Sequence, residues 1–159
     1  MKTLVLGLGN ELYGDDGVGI HVVRKLKQEL KKRKENLSDL RDADFEECPL
    51  SGIALLDIIV GYETLIIVDT IKKQNPVSGR IHLIEGKSLR SIPGPSPHYV
   101  SLPQTLEIGK KLGLKVPSKV KIIAVEAKNI YDLGEGLSEE MIKSIPKINQ
   151  KIKELLKNE

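Results

Sequence analysis

Tryptophan is absent from this chain, aromatic residues make up only 3% of it, and cysteine occurs once. A core built with so few rings must be aliphatic, drawn from Leu, Ile and Val. The lone Cys48 excludes an internal disulfide and fits a reducing compartment; burial as a small hydrophobe is the role expected of it. Long apolar runs are missing too. The run after Lys2 breaks at Gly7, too short for a signal peptide or a membrane span, so a cytoplasmic protein is expected. A net charge of +3 is too weak to argue for nucleic acid or a membrane as partner, and neither is expected. No aromatics interleave with the basic residues as a base-stacking surface requires. The basic run Lys31-Lys32-Arg33-Lys34 reads as a solvated last turn that complements a helix dipole.

What is present is ordinary globular material: 159 residues, 40% hydrophobic and 30% charged. That length suits a single domain over 1–159, large enough to bury a core. The organising stretch is Thr3-Leu4-Val5-Leu6-Gly7-Leu8-Gly9-Asn10-Glu11-Leu12-Tyr13-Gly14-Asp15-Asp16-Gly17-Val18-Gly19. A strand over 2–8 stops at two glycines, and a loop delivers two acids to the mouth of a helix. Val18, Val22, Leu26 and Leu30 recur every four residues, the stripe of an amphipathic helix, with Asp15 or Asp16 placed to cap it. A loop is expected at 36–39, a second strand at 43–48, and a short helix at 52–60 burying Ile53, Leu56, Ile59 and Val60.

Thr64-Leu65-Ile66-Ile67-Val68-Asp69 is a near-continuous apolar run, the mark of a strand buried on both faces in a parallel sheet, and it ends in Asp69. Only ten residues separate it from a strand at 80–85, too few for a helical crossover. If those two strands are adjacent they must be antiparallel, which makes the sheet mixed. Residues 91–98 are too proline-rich for regular structure. A helix follows with Ser101 and Gln104 at capping-box spacing. A fifth strand falls at 119–126. The last helix opens at Ser138 and buries Met141, Ile145, Ile148, Ile152 and Leu155, with Pro146 inside it. Strands alternating with helices predict a three-layer α/β/α fold around a mixed, mostly parallel five-stranded sheet.

In such sheets ligands bind outside the carboxyl ends of the strands. Gly7-Leu8-Gly9 lacks the third glycine of a dinucleotide fingerprint, and acids occupy the place of the pyrophosphate, so nucleotide binding is not expected. Asp16 reads either as a helix cap or as a ligand; one cap needs one acid, and here there are two. Asp69 reads as a turn cap or a ligand, and His98 sits in a rigid proline framework. His21 and His82 lie in regular elements with no acid nearby in sequence and read as structural or exposed. Together Asp16, Asp69 and His98 make an O,O,N set with an open position, suited to zinc, nickel or a similar divalent ion. There is no H-E-x-x-H helix and no G-x-S-x-G serine.

The pattern G-x-G-N-x-L-x-x-D-x-G-x-G, present from Gly7 to Gly19, resembles that of the hydrogenase maturation proteases. The resemblance continues in Ile66-Ile67-Val68-Asp69 and in Ser96-Pro97-His98. It implies an endopeptidase that removes the C-terminal extension of a nickel–iron hydrogenase large-subunit precursor, with that precursor as partner. It also implies that Asp16, Asp69 and His98 are the metal-binding and catalytic residues. The metal would be nickel already inserted in the substrate, with another divalent ion able to occupy the site in isolated protein. After the second strand this chain has Cys48-Pro49-Leu50-Ser51-Gly52, where many members carry a glycine-rich, threonine-containing turn. The readings set against this one are a metal-dependent phosphohydrolase using Asp69 and a non-catalytic nickel-binding assembly factor.

Overall fold

A computed structural model describes residues 2–32, 40, 42–85, 88, 101–134 and 136–158. Five strands form one sheet: β1 (Thr3–Leu8), β2 (Ala43–Cys48), β3 (Thr64–Ile71), β4 (Ile81–Glu85) and β5 (Lys119–Glu126). Their order is β2-β1-β3-β5-β4. The first four in that order are mutually parallel, and β4 runs antiparallel to β5. The mixed sheet is therefore as expected, but its antiparallel neighbour is not. The short link after β3 carries the chain past β5 to the edge, because β5 takes the site beside β3.

Helices α1 (Val18–Lys32) and α4 (Glu139–Lys157) cover one face. Their stripes meet the inward residues of the strands around Val5, Val22, Leu26, Ile66, Ile123, Ile148 and Ile152. The other face packs Leu4, Leu6, Ile67 and Ile122 against Leu55, Ile59 and Leu102. Those last three belong to a 3-10 turn (Gly52–Leu55), to α2 (Leu56–Ile59) and to α3 (Leu102–Lys111). This is the three-layer arrangement. Every residue of β1 and β3 is buried, as continuous apolar runs require in a sheet covered on both sides. Each fully buried Leu or Ile contributes about 1.5–3 kcal/mol, so this aliphatic interior needs no aromatic payload.

Several local expectations are corrected. Ile53 is exposed, because the segment from 52 begins as a 3-10 turn whose buried residue is Leu55. Ser101 is the N-cap residue of α3 but makes no side-chain cap bond; its carbonyl instead accepts from the Thr105 amide and hydroxyl. Strand β3 continues two residues beyond Asp69, so that acid lies within the strand. Pro146 sits inside an unbroken α4. Cys48 is buried and free, as expected. The segments at 36–39 and 91–98 lie outside the described residues.

Two glycines set the spacing between α1 and the sheet. At Gly19 a Cβ would overlap the Val68 and Leu8 carbonyl oxygens, so α1 lies directly on β1 and β3 only because no side chain intervenes. Gly9 has φ +147°, and a Cβ there would overlap the Asp16 carbonyl. The acid-bearing turn is thereby folded tightly back onto the end of β1.

Candidate metal and catalytic site

The acids leave β1 through a 3-10 turn (Gly14–Gly17) that runs straight into α1. Asp15 and Asp16 are each only 2% exposed, and Asp69 is 0% exposed. Neither acid caps this turn through its side chain: the N-cap residue is Tyr13, with no side-chain cap bond. Both carboxylates reach partners outside the turn.

Asp16 turns toward β3. Its Oδ2 accepts from the Asn10 amide at 2.9 Å, and its Oδ1 accepts from the Thr70 hydroxyl at 2.7 Å. Thr70 also donates its amide to Asp69 Oδ1 at 2.8 Å. One threonine thus joins the two acids, through its side chain on one side and its backbone on the other. Strands β1 and β3 are parallel neighbours, with Gly7 opposite Val68, so both acids stand at the carboxyl rim. Asp16 and Asp69 both accept from Thr70 at this rim, and His98 lies outside the described residues. Among the described residues no group of three metal-ligating side chains is assembled.

Asp15 turns the opposite way. Its Oδ1 accepts from the Ser138 amide at 2.7 Å and its Oδ2 from the Ser138 hydroxyl at 2.8 Å. The same hydroxyl accepts from the Met141 amide at 3.2 Å, which caps α4. Adjacent acids therefore serve different neighbours, a division that their identical chemistry conceals in the sequence.

Two groups were missed by sequence reasoning. Thr70 donates to both acids, and its only signal is a hydroxyl next to the acid that closes the apolar run. Glu126 is the other: it ends β5 just as Asp69 ends the apolar run of β3. It is 1% exposed, with His82 Nε2 at 2.6 Å from Oε2, Arg80 Nε at 3.7 Å, and the Val77 amide donating to Oε1 at 3.2 Å. Burial pushes this carboxyl up, but His82, the Val77 amide and Arg80 outweigh it and hold it below the usual carboxylate range. His82 is thus structural, as expected, although its acid is 44 positions away. His21 lies 3.5 Å from Glu11 on the surface.

Carboxylates at a parallel-sheet rim, held by hydrogen bonds that fix their orientation, are equipped to ligate a divalent cation or to take up a proton. A family model described as hydrogenase maturation protease matches residues 20–155, which include Asp69 and His98 and begin just after the glycine-rich loop. The hydrogenase maturating endopeptidase HybD of Escherichia coli has a similar structure: the TM-score is 0.79 at 21% identity, over 99% of this chain and 93% of that one. The nickel–iron hydrogenase maturation protease HybD of Thermococcus kodakarensis gives 0.72 at 23% identity, over 98% and 99%. At these identities the likeness concerns the fold. A Methanocaldococcus jannaschii protein, provisionally named a hydrogenase maturation protease, is 53% identical over 34 residues, which span 21% of this chain and only 20% of that relative's length. No helix among the described residues is long and apolar enough to cross a membrane.

Proposed function

This chain belongs to the hydrogenase maturation protease family, and from that premise we propose that it is the endopeptidase that trims a nickel–iron hydrogenase large-subunit precursor. Its substrate is a polypeptide carrying nickel, and the bond it cuts precedes the C-terminal extension. The observation that supports this reading is Thr70, which donates its hydroxyl to Asp16 and its amide to Asp69, both buried at the sheet rim. Oxygen donors of this kind, with the imidazole of His98, suit a divalent ion of nickel's class. The metal belongs to the substrate, and the protease reads it. Asp16, Asp69 and His98 are the residues assigned to that contact.

A site with two carboxylates, one imidazole and an open position holds a free ion less firmly than a closed thiolate site. Capture of loaded precursor is then bivalent, through metal and peptide surface together, and empty precursor loses one of the two contacts. The test is to incubate nickel-loaded and nickel-free precursor with the protein and weigh the products. Loaded precursor should shorten, and nickel-free precursor should stay intact even with excess zinc. Cutting of nickel-free precursor by a zinc-loaded form would restore an ordinary metalloprotease. Binding of loaded precursor without any shortening would make the protein an assembly factor.

A further inference from the structure

Asp15 is a buried acid that the metal-reading scheme leaves unused, and both of its oxygens are engaged by Ser138. Around it the turn and the 129–138 connection are laced by backbone bonds. Gly14 donates to the Gly134 carbonyl at 2.7 Å, Gly134 to the Leu12 carbonyl at 2.9 Å, and Asp15 to the Asn129 carbonyl at 3.2 Å. Packing does not fill this seam, since a cavity of about 280 Å³ bordered by Gly14, Asp15, Asn129 and Ser138 lies along it. Hydrogen bonds, with the two from Ser138 to the Asp15 carboxyl foremost, therefore fix how the connection sits against the turn. What the connection displays is apolar: Tyr131 is 54% exposed and Leu133 77%, beside Leu12 at 56%. The Lys72 ammonium, one residue beyond β3, lies 4.7 Å from the centre of the Tyr131 ring and steadies it.

We propose that Asp15 is a positioning residue whose two-bond latch to Ser138 holds Leu12, Tyr131 and Leu133 as a grip for an apolar segment of the substrate polypeptide beside the carboxylate pair. The occupant follows from continuity: Lys72, which lies over the Tyr131 ring, directly follows the end of β3 that bears Asp69 and Thr70, so a chain lying on the grip borders that end of the sheet. This rests on the protease reading given above.

The latch makes a prediction that a ligand or proton donor at this position would not. Asn at position 15 keeps an acceptor for the Ser138 amide and offers an N–H to the Ser138 hydroxyl, which can reverse its role. Ala keeps neither contact. Asp15→Ala should raise KM for nickel-loaded precursor by about tenfold to a hundredfold with a much smaller change in kcat. Asp15→Asn should rescue most of that loss. Leu133→Ser, which alters an exposed side chain and leaves the fold intact, should raise KM in the same direction. Amide hydrogen exchange in the free protein should show lost protection at Gly14, Gly134 and Ser138 in Asp15→Ala, and retained protection in Asp15→Asn.

An Asn variant as impaired as the Ala variant would overturn the latch, and so would unchanged exchange in Asp15→Ala. A fall in kcat at constant KM, or an unaltered KM in Leu133→Ser, would overturn the grip. If the wild-type protein cuts no precursor, the protease reading and the grip fall together. The exchange measurement still decides the latch by itself.

Discussion

The carboxyl rim of the sheet buries acids in two places and treats them differently. Between β1 and β3, Asp16 accepts from the Asn10 amide and the Thr70 hydroxyl, while Asp69 accepts from the Thr70 amide. Between β5 and β4, Glu126 stands against the imidazole of His82 and the guanidinium of Arg80. The second arrangement fastens an edge strand: an imidazole from β4 and the guanidinium of the residue before it clamp the end of β5. An acid compensated by its own sheet serves the fold, and removing one partner destabilises it. Asp16 and Asp69 instead come from separate segments and share one threonine. Burial at the sheet rim is common to both places, so burial alone does not identify function; the partners separate them.

The widest separation between the two regions should come from neutralising each acid. Asp16→Asn or Asp69→Asn should lower precursor cleavage by about a hundredfold or more, because a neutral amide is a poor metal ligand. The thermal midpoint should hold, since Asn has the same size and its carbonyl can still accept a hydrogen bond. Glu126→Gln should do the reverse, lowering the midpoint and sparing the specific activity of the folded fraction. Measuring cleavage and melting on the same preparations checks both halves. An Asp16→Asn protein that melts early yet cleaves normally would place Asp16 with Glu126 as a fold residue.

A smaller, pH-dependent effect sharpens the contrast. The Glu126 carboxyl is held below its usual range in the folded protein, so the unfolded chain binds its proton first as pH falls. Its stabilising contribution is therefore complete above the ordinary carboxylate value, near 4.5, and is lost as pH drops through the lower folded value. Melting curves from pH 7 down to 3 should show an acid decline that Glu126→Gln flattens. His82→Ala should lower the midpoint near neutrality by the equivalent of about 1–3 kcal/mol, the cost of depriving a buried group of one partner. An acid limb unchanged by Glu126→Gln would remove this residue from the account of stability.

How much of this was legible in the sequence follows from the range of each signal. Strands β2 and β5 matched their expected bounds because apolar periodicity is local and their ends fall at Pro49 and near Pro117. Asp16 and Asp69 could be paired because parallel neighbours bring their carboxyl ends to one rim. The partner of β4 could not be read, since strand order depends on which edge a later strand takes. The His82–Glu126 contact was hidden by the same long range. Asp15 and Asp16 are indistinguishable in one dimension, and only the direction in which a 3-10 turn points each side chain separates the partner of Ser138 from the partner of Thr70. Ser101 and Gln104 had the spacing of a capping box, but the Ser101 carbonyl is engaged by Thr105 while its side chain makes no cap bond.

The smallest predicted effect concerns the outer side of the acid-bearing loop. Arg24 on α1 donates from Nη1 and Nη2 to the two Glu11 oxygens at 2.8 and 3.0 Å, and from Nε to Glu47 of β2 at 2.9 Å. This geometry is bidentate, and the hydrogen bond from Arg24 is the main reason the Glu11 carboxyl is held below its ordinary range. Arg24 is 39% exposed, however, so water and salt screen the pair. Arg24→Ala should therefore lower stability by only about 0.2–1 kcal/mol, and the difference from wild type should shrink further in high salt. Cleavage should change little, because Gly9, Gly14 and the Asp15–Ser138 bonds fix the loop from inside. Denaturant melts at low and high ionic strength, run beside the cleavage assay, check both statements. A large loss of activity at unchanged stability would mean that Glu11 orients the loop from outside, and that the interior bonds alone do not set the position of Asp16.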